Sequence, residues 1–254
     1  MQTLRRPKIS TAFTPRYSND YRMGLIVPSL NVTIEPEFNA IVPHDISIHA
    51  TRLLLEQGDT KSLERMAKLT EEACALLASA KVDIVVYACT TGSLVRGLEW
   101  ESQLVKRMKS QLSCPVITTA GAVVKALREM KLSKVAVGTP YTDELNKVER
   151  EFLESNGIEV TKIKGLGCVT GEDLHRHSPE TTVKLARQVD SEEAQGIFLS
   201  CTDLKTVTVL ESLEKSLGKP VVSSNAATLW NALKAMKYRG EKKVSGCGSL
   251  LRRA

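Results

Sequence analysis

VDIVVYACTTGSLVRGL, residues 82–98, decides the fold: an unbroken apolar run ends on Cys89 and passes straight into small polar residues. Val, Ile and Tyr without alternation read as a parallel strand covered on both faces. Thr90 to Ser93 then open a helix whose first backbone N–H groups face the strand end. Such a turn binds anions, and the positive end of the helix dipole favours a thiolate, so a lowered thiol pKa is expected at Cys89.

Outward from this stretch the chain repeats itself. GLIVPSL at 24–30 pairs with VAVGTPY at 135–141, VDIVVYACT at 82–90 with AQGIFLSCT at 194–202, and CPVITTAGAVVKAL at 114–127 with KPVVSSNAATLWNAL at 219–233. Three blocks in one order imply a duplicated unit. Strands alternate with helices in each copy. The predicted architecture is therefore α/β: two similar open, mostly parallel-sheet domains related by a pseudo-twofold axis, with the active site between them. Cys89 and Cys201 hold equivalent strand ends, so their thiols are expected to converge on one cleft from opposite sides.

The expected division is a poorly ordered basic arm at 1–20, a first domain of 21–118 plus 218–240, a second of 119–217, and a C-terminal tail at 241–254. A helix starting near Thr60 is expected to bury Leu63, Met66, Ala67, Thr70, Cys74 and Leu77 on one face, which makes Cys74 a core residue.

The formal net charge of +6 sits at the ends: residues 1–22 carry five bases against Asp20, and 240–254 carry four against Glu241. The body is near neutral, without a basic stripe interleaved with aromatics, which argues against nucleic-acid binding. No apolar run reaches the length of a membrane span and the N-terminus has no signal-peptide core, so a cytoplasmic location is expected with no membrane partner. The six cysteines lack C-x-x-C spacing, and His175 and His177 are two apart, off a common helix face. Neither a disulfide framework nor a metal site follows.

Two opposed cysteines, with no glycine-rich dinucleotide fingerprint and no P-loop, point to cofactor-free chemistry at a carbon next to a carboxylate. One thiolate acts as base or nucleophile while the other thiol gives a proton.

GLIVPSLNVTIEPEF, YACTTGSLVRG, VGTPYTDELN, GIFLSCTDL and GKPVVSSNAATLWNAL, in that order, resemble the aspartate/glutamate racemase superfamily in its maleate cis-trans isomerase and arylmalonate decarboxylase branch. The resemblance implies an interdomain active site, no cofactor, a small carboxylate or dicarboxylate substrate, and a homodimer or higher oligomer. Decarboxylases of this branch carry a small residue where Cys89 stands, whereas maleate isomerases carry cysteine at both positions. By resemblance, then, Cys89 adds to the double bond, rotation follows about the new single bond, and Cys201 handles the proton. Asn31 and Tyr141 would hold substrate carboxylates, Ser29 would line the same site, and Thr90, Thr91 and Thr202 would add donors.

One position departs from the isomerase pattern: the second carboxylate-binding Asn is replaced by Gly171, and GLGCVTGED looks more like the decarboxylase branch. Glu172, His175 or backbone amides are left to replace it, or the substrate is bulkier than maleate. Cys168 in this loop is expected to pack. Alternatives to isomerisation are two-cysteine racemisation and decarboxylation, and a two-lobed ligand sensor explains the cleft but not the thiols.

Overall fold

The computed structural model describes residues 20–240, 244 and 246–254, so the expected basic arm lies outside the described residues apart from Asp20. The first half runs β1 (Tyr21–Pro28), α1 (Ile34–Ile41), β2 (Ile46–Leu53), α2 (Thr60–Lys68), α3 (Thr70–Ser79), β3 (Ile84–Tyr87), α4 (Thr90–Leu94), α5 (Gly97–Gln111), β4 (Val116–Thr118) and α6 (Thr119–Glu129). The second runs β5 (Lys134–Thr139), α7 (Asp143–Ser155), β6 (Glu159–Gly165), α8 (Gly171–His175), α9 (Pro179–Val189), β7 (Gly196–Leu199), α10 (Leu210–Leu217), β8 (Val221–Ser223) and α11 (Ser224–Ala235). Two four-stranded sheets result, ordered β2-β1-β3-β4 and β6-β5-β7-β8, with every pairing parallel. The identical order is what a duplicated unit requires.

Hydrogen bonds at the strand ends refine the repeat. Ala88 N–H donates to Ile26 O and Ser200 N–H to Gly138 O, each at 2.8 Å. One offset of 112 residues relates both pairs. It sets Pro28 against Pro140 and Ser29 against Tyr141, one residue from the pairing the letters of GLIVPSL and VAVGTPY suggested.

Three further expectations change. The stripe from Leu63 to Leu77 is buried throughout, but it belongs to two helices broken at Leu69 (φ −87°, ψ 1°). There the Thr70 hydroxyl donates to Ala67 O at 2.8 Å, a local bond that competes with the helix ladder. Residues 218–240 were assigned to the first domain, yet β8 pairs with β7, because its buried Val221 and Val222 need a sheet neighbour. The rest of that segment does reach back: α11 packs on α1, β3, β4 and α6, and Tyr238 donates to Asp45 Oδ1 at 2.7 Å and packs edge-on against Tyr21. The described part of the tail is docked: Val244, Cys247, Leu250 and Leu251 are buried, and the Glu214 carboxylate accepts Ser249 N–H (2.8 Å) and Oγ–H (2.6 Å). Burying each such aliphatic side chain contributes about 1.5–3 kcal/mol, ample to hold a short segment.

Helix ends show where stability was not maximised. Past α7, Gly157 (φ +77°) turns left-handed, with Gly157 N–H to Glu154 O and Ile158 N–H to Leu153 O. The same turn past α6 and α11 is made by Lys131 (φ +57°) and Lys237 (φ +53°), and Lys81 (φ +51°) follows α3. A side chain in this region costs on the order of 1 kcal/mol that glycine avoids. Lys81→Gly, Lys131→Gly and Lys237→Gly are each expected to stabilise by about 0.5–1 kcal/mol after the unfolded-state entropy of glycine is subtracted. Thermal denaturation of the triple variant should show a Tm raised by several degrees; an unchanged or lower Tm would refute the account.

Candidate active site

Loops from the C-terminal ends of β1, β3, β5 and β7 meet where sheets of this order open to ligands. Between them lies a cavity of about 570 Å³, open mouth included, whose walls carry Asn31, Cys89, Thr90, Thr91, Tyr141, Cys201 and Thr202. The sequence-predicted residues are thus brought together, with one exception. Ser29 turns to the end of β2, where its Oγ accepts Leu55 N–H (2.9 Å) and donates to Leu55 O (3.3 Å).

Cys89 is the N-cap of α4, and its Sγ accepts Gly92 N–H at 3.3 Å and lies 3.9 Å from the Thr91 hydroxyl. Close approach demands glycine here: a Cβ at Gly92 would fall 3.0 Å from Cys89 Sγ and 2.9 Å from both Tyr87 Oη and Met66 Cε. The expected lowering of the thiol pKa is nevertheless overturned. Burial pushes Cys89 up to about 11, against the smaller opposing pull of the Gly92 and Thr91 hydrogen bonds. Loss of water outweighs the field of a one-turn helix.

Cys201 is held differently. No helix starts on it; its backbone sits at φ +111°, a conformation that costs a β-carbon-bearing residue about 1–3 kcal/mol. Its Sγ accepts Asp203 N–H at 3.3 Å and has the Tyr141 hydroxyl close enough to oppose the rise of its pKa. Burial, then the Asp203 carboxylate, push this thiol further up than Cys89. The two sulfurs are chemically unlike although the repeat makes them equivalent.

The loops are locked across the cleft. Ser224 Oγ accepts Cys201 N–H (3.0 Å) and the Thr90 hydroxyl (2.9 Å). Asn31 Oδ1 accepts Thr33 and Ile34 N–H, both at 3.0 Å, while its Nδ2 donates to Thr202 Oγ1 at 2.9 Å. Asp203 Oδ1 accepts Val32 N–H at 2.9 Å. Glu37 accepts Thr206 N–H (2.7 Å), Val207 N–H (3.1 Å) and Asn225 Nδ2–H (2.6 Å). Burial raises the carboxyl pKa of both Glu37 and Asp203. Sequence reasoning missed Glu37, Asp203, Ser224 and Asn225, whose roles arise from long-range contacts.

Gly171 opens α8 behind a capping box of Thr170 and Asp173. A Cβ there would meet Leu30 Cδ2 at 3.2 Å, and the position is not in the cavity wall. Its expected replacements are elsewhere: Glu172 pairs with Arg176 at 2.6 Å, and His175 Nε2 lies 2.9 Å from Leu30 O. Val169, Thr170 and Leu174 form the wall instead, with Leu30, Leu55, Leu63 and Leu145 opposite or beside them. Cys168, expected to pack, also lines the cavity, with Sγ 3.1 Å from His177 Nε2. Among the described residues no lysine or arginine lines it, so a carboxylate bound there would depend on N–H and O–H donors. Among the described residues no three His, Cys, Asp or Glu side chains gather as a metal site, and no helix is long and apolar enough to cross a membrane.

Known proteins resemble this arrangement over most of the chain. The maleate isomerase of Pseudomonas putida is 32% identical over 244 residues, covering 91% of this chain and 97% of that protein. The arylmalonate decarboxylase of Bordetella bronchiseptica is 27% identical over 230 residues, covering 90% and 95%. Among solved structures, a cysteine-to-serine variant of the Nocardia farcinica maleate cis-trans isomerase, with a covalently bound succinylcysteine intermediate, superposes with a TM-score of 0.87 at 27% identity, over 92% of this chain and 99% of that one. The family model of arylmalonate decarboxylase matches residues 23–251. The chain therefore belongs to the arylmalonate decarboxylase family of enzymes, within the aspartate/glutamate racemase superfamily.

Proposed function

We propose that this chain is a cofactor-independent cis-trans isomerase of maleate-like dicarboxylates, with Cys89 as nucleophile and Cys201 as acid and base. The carrying observation is the pair of unlike thiols on one cavity. Cys89, supported by the Gly92 N–H, is the easier to ionise; Cys201, beside Asp203, holds its proton. The Cys89 thiolate adds to one alkene carbon, and Cys201 delivers its proton to the other, leaving a succinyl thioether. Rotation about the C–C single bond follows. The Cys201 thiolate then removes a proton from the carbon it protonated, the double bond re-forms trans, and the C–S bond breaks to release Cys89 as thiolate. Atoms and charge balance without an added redox agent. The succinylcysteine carried by the Nocardia relative is the adduct these steps produce.

Asn31, Thr90, Thr91, Thr202 and Tyr141 are proposed to hold the carboxylates, the Asn31 amide through exchange of its bond to Thr202. A homodimer or higher oligomer and a cytoplasmic location are part of this proposal, and Cys74, Cys89, Cys114, Cys168 and Cys201 are free thiols, as a reducing compartment keeps them. The leucine-rich wall favours a second reading of substrate size, in which a 2-alkyl maleate outperforms maleate.

Proton NMR of maleate with the reduced enzyme should show fumarate growing in; none from folded protein sinks the proposal. 2-Methylmaleate in the same assay should give the higher kcat/KM if the apolar wall selects, and a lower one removes the second reading. Cys201→Ala should cut kcat by about 10²–10⁴ while intact-mass spectrometry shows one maleate-mass adduct on Cys89. An adduct that survives Cys89→Ser would reverse the roles. Because Cys89 titrates near 11, its thiolate fraction rises with pH, and kcat/KM should climb about five- to tenfold between about pH 7 and pH 8. A flat profile there contradicts a buried, protonated nucleophile.

A further inference from the structure

Behind Cys201, on the side away from the cavity, lies a polar chain that the steps above do not use. Ser200 immediately precedes the thiol, and its Oγ is 2.5 Å from Oε1 of Glu149 on α7. Glu149 is wholly buried, and its Oε2 has no hydrogen-bond partner among the described residues. The Tyr141 hydroxyl is near enough to Ser200 and Cys201 for Ser200 to lower its pKa and for it to lower that of the Cys201 thiol. Carboxyl, hydroxyl, phenol and sulfur are therefore successive neighbours.

The duplicated unit provides an internal comparison. At the offset of 112 residues, Ser200 corresponds to Ala88 and Tyr141 to Ser29, whose hydroxyl is spent on Leu55. Cys89 thus has a methyl group where Cys201 has a hydroxyl leading to an acid. Nothing in the core demands a carboxyl at 149, since an unpaired buried charge is costly and a neutral apolar residue would fill the space.

We propose that Glu149 is a positioning residue for the acid-base step: as a neutral acid it donates to Ser200, which orients Ser200 and Tyr141 so that the last O–H points at Cys201. Ionisation of Glu149 reverses the first bond, because a carboxylate only accepts. Ser200 must then donate backwards, Tyr141 loses its support, and a negative charge faces the sulfur. Cys201 is thereby prevented from giving up its proton. While Glu149 is neutral, the thiolate left after protonation of the substrate carbon is stabilised by the Tyr141 O–H until it recovers the same proton, and the protons of the chain itself stay in place.

Burial raises the Glu149 carboxyl to about 8 against the smaller opposing pull of the Ser200 hydrogen bond. The titratable groups in its reach are Tyr141 and, beyond it, Cys201 and Cys89; no basic side chain from α4, α5 or β6, which pack against α7, acts on the carboxyl. The switch therefore falls just above neutrality.

This inference rests on Cys201 as the acid, and the test separates the two. Glu149→Gln keeps a donor toward Ser200 and cannot ionise. The ratio of its kcat/KM for maleate to that of the parent should be constant below about pH 7.5 and should grow up to about tenfold per unit above about pH 8.5, where the parent flattens. A ratio constant at every pH, as a merely structural role predicts, overturns the proposal even if both proteins isomerise maleate. If neither does, peptide-resolved iodoacetamide alkylation of Cys201 decides it without turnover. Its rate should slacken above about pH 8 in the parent but keep rising in the variant, and parallel profiles refute the idea. Should Glu149→Gln fail to fold, Glu149→Met, an apolar filler, must show the same loss of the high-pH break in alkylation.

Discussion

Both cysteine-bearing loops are tied to one oxygen atom, the hydroxyl of Ser224, which takes the backbone N–H of Cys201 and the side-chain O–H of Thr90. Two sulfurs can act on one small molecule only if their separation is fixed, and side chains alone do not fix it across two sheets. A shared acceptor at the start of a helix buried from Ser224 to Leu233 does. Around it, Asn31 to Thr202, Val32 to Asp203 and Glu37 to the 206–207 backbone repeat the same kind of bond, each from the first half to the second. The cleft is a polar seam within one apolar core shared by both halves, and hydrogen bonds across it set its geometry.

Duplication gave the protein two equivalent strand ends, and chemistry then required them to differ. A helix begins on Cys89, with a glycine admitting the backbone N–H to the sulfur. Cys201 instead takes a strained backbone conformation and a carboxylate neighbour. These are local changes of one or two residues on a common sheet. Symmetric scaffolding supplies opposition of the groups, and asymmetric loops supply their division of labour.

The fold was readable because its strands are short apolar runs and because three blocks recur in order; both signals are local. The helix break at Leu69, the pairing of β8 with β7 and the docking of Leu250 and Leu251 were not, since each depends on partners distant in sequence. Within the site, Cys89, Cys201, Asn31, Tyr141 and the threonines were legible as motif residues. The Cys89 pKa was misjudged because a sequence displays the helix start but not the water it loses. Glu149 did leave a signal: with Leu145, Phe152 and Leu153 it lies on the inward stripe of α7, where a carboxylate interrupts an apolar face. Asp203 and Ser224 left none, being ordinary loop and cap residues until the two halves meet.

The path of α11 has a consequence for how the molecule comes into being. This helix is the last long element in the chain, yet it packs on α1, β3 and β4 of the first half as well as on α6. The part of the first sheet that α11 covers therefore stays open while the second half is synthesised. Such sequence-distant closure slows folding and leaves apolar strand faces exposed meanwhile. The cleft is therefore complete only once α11 has docked, which places the meeting of the two thiols late in folding.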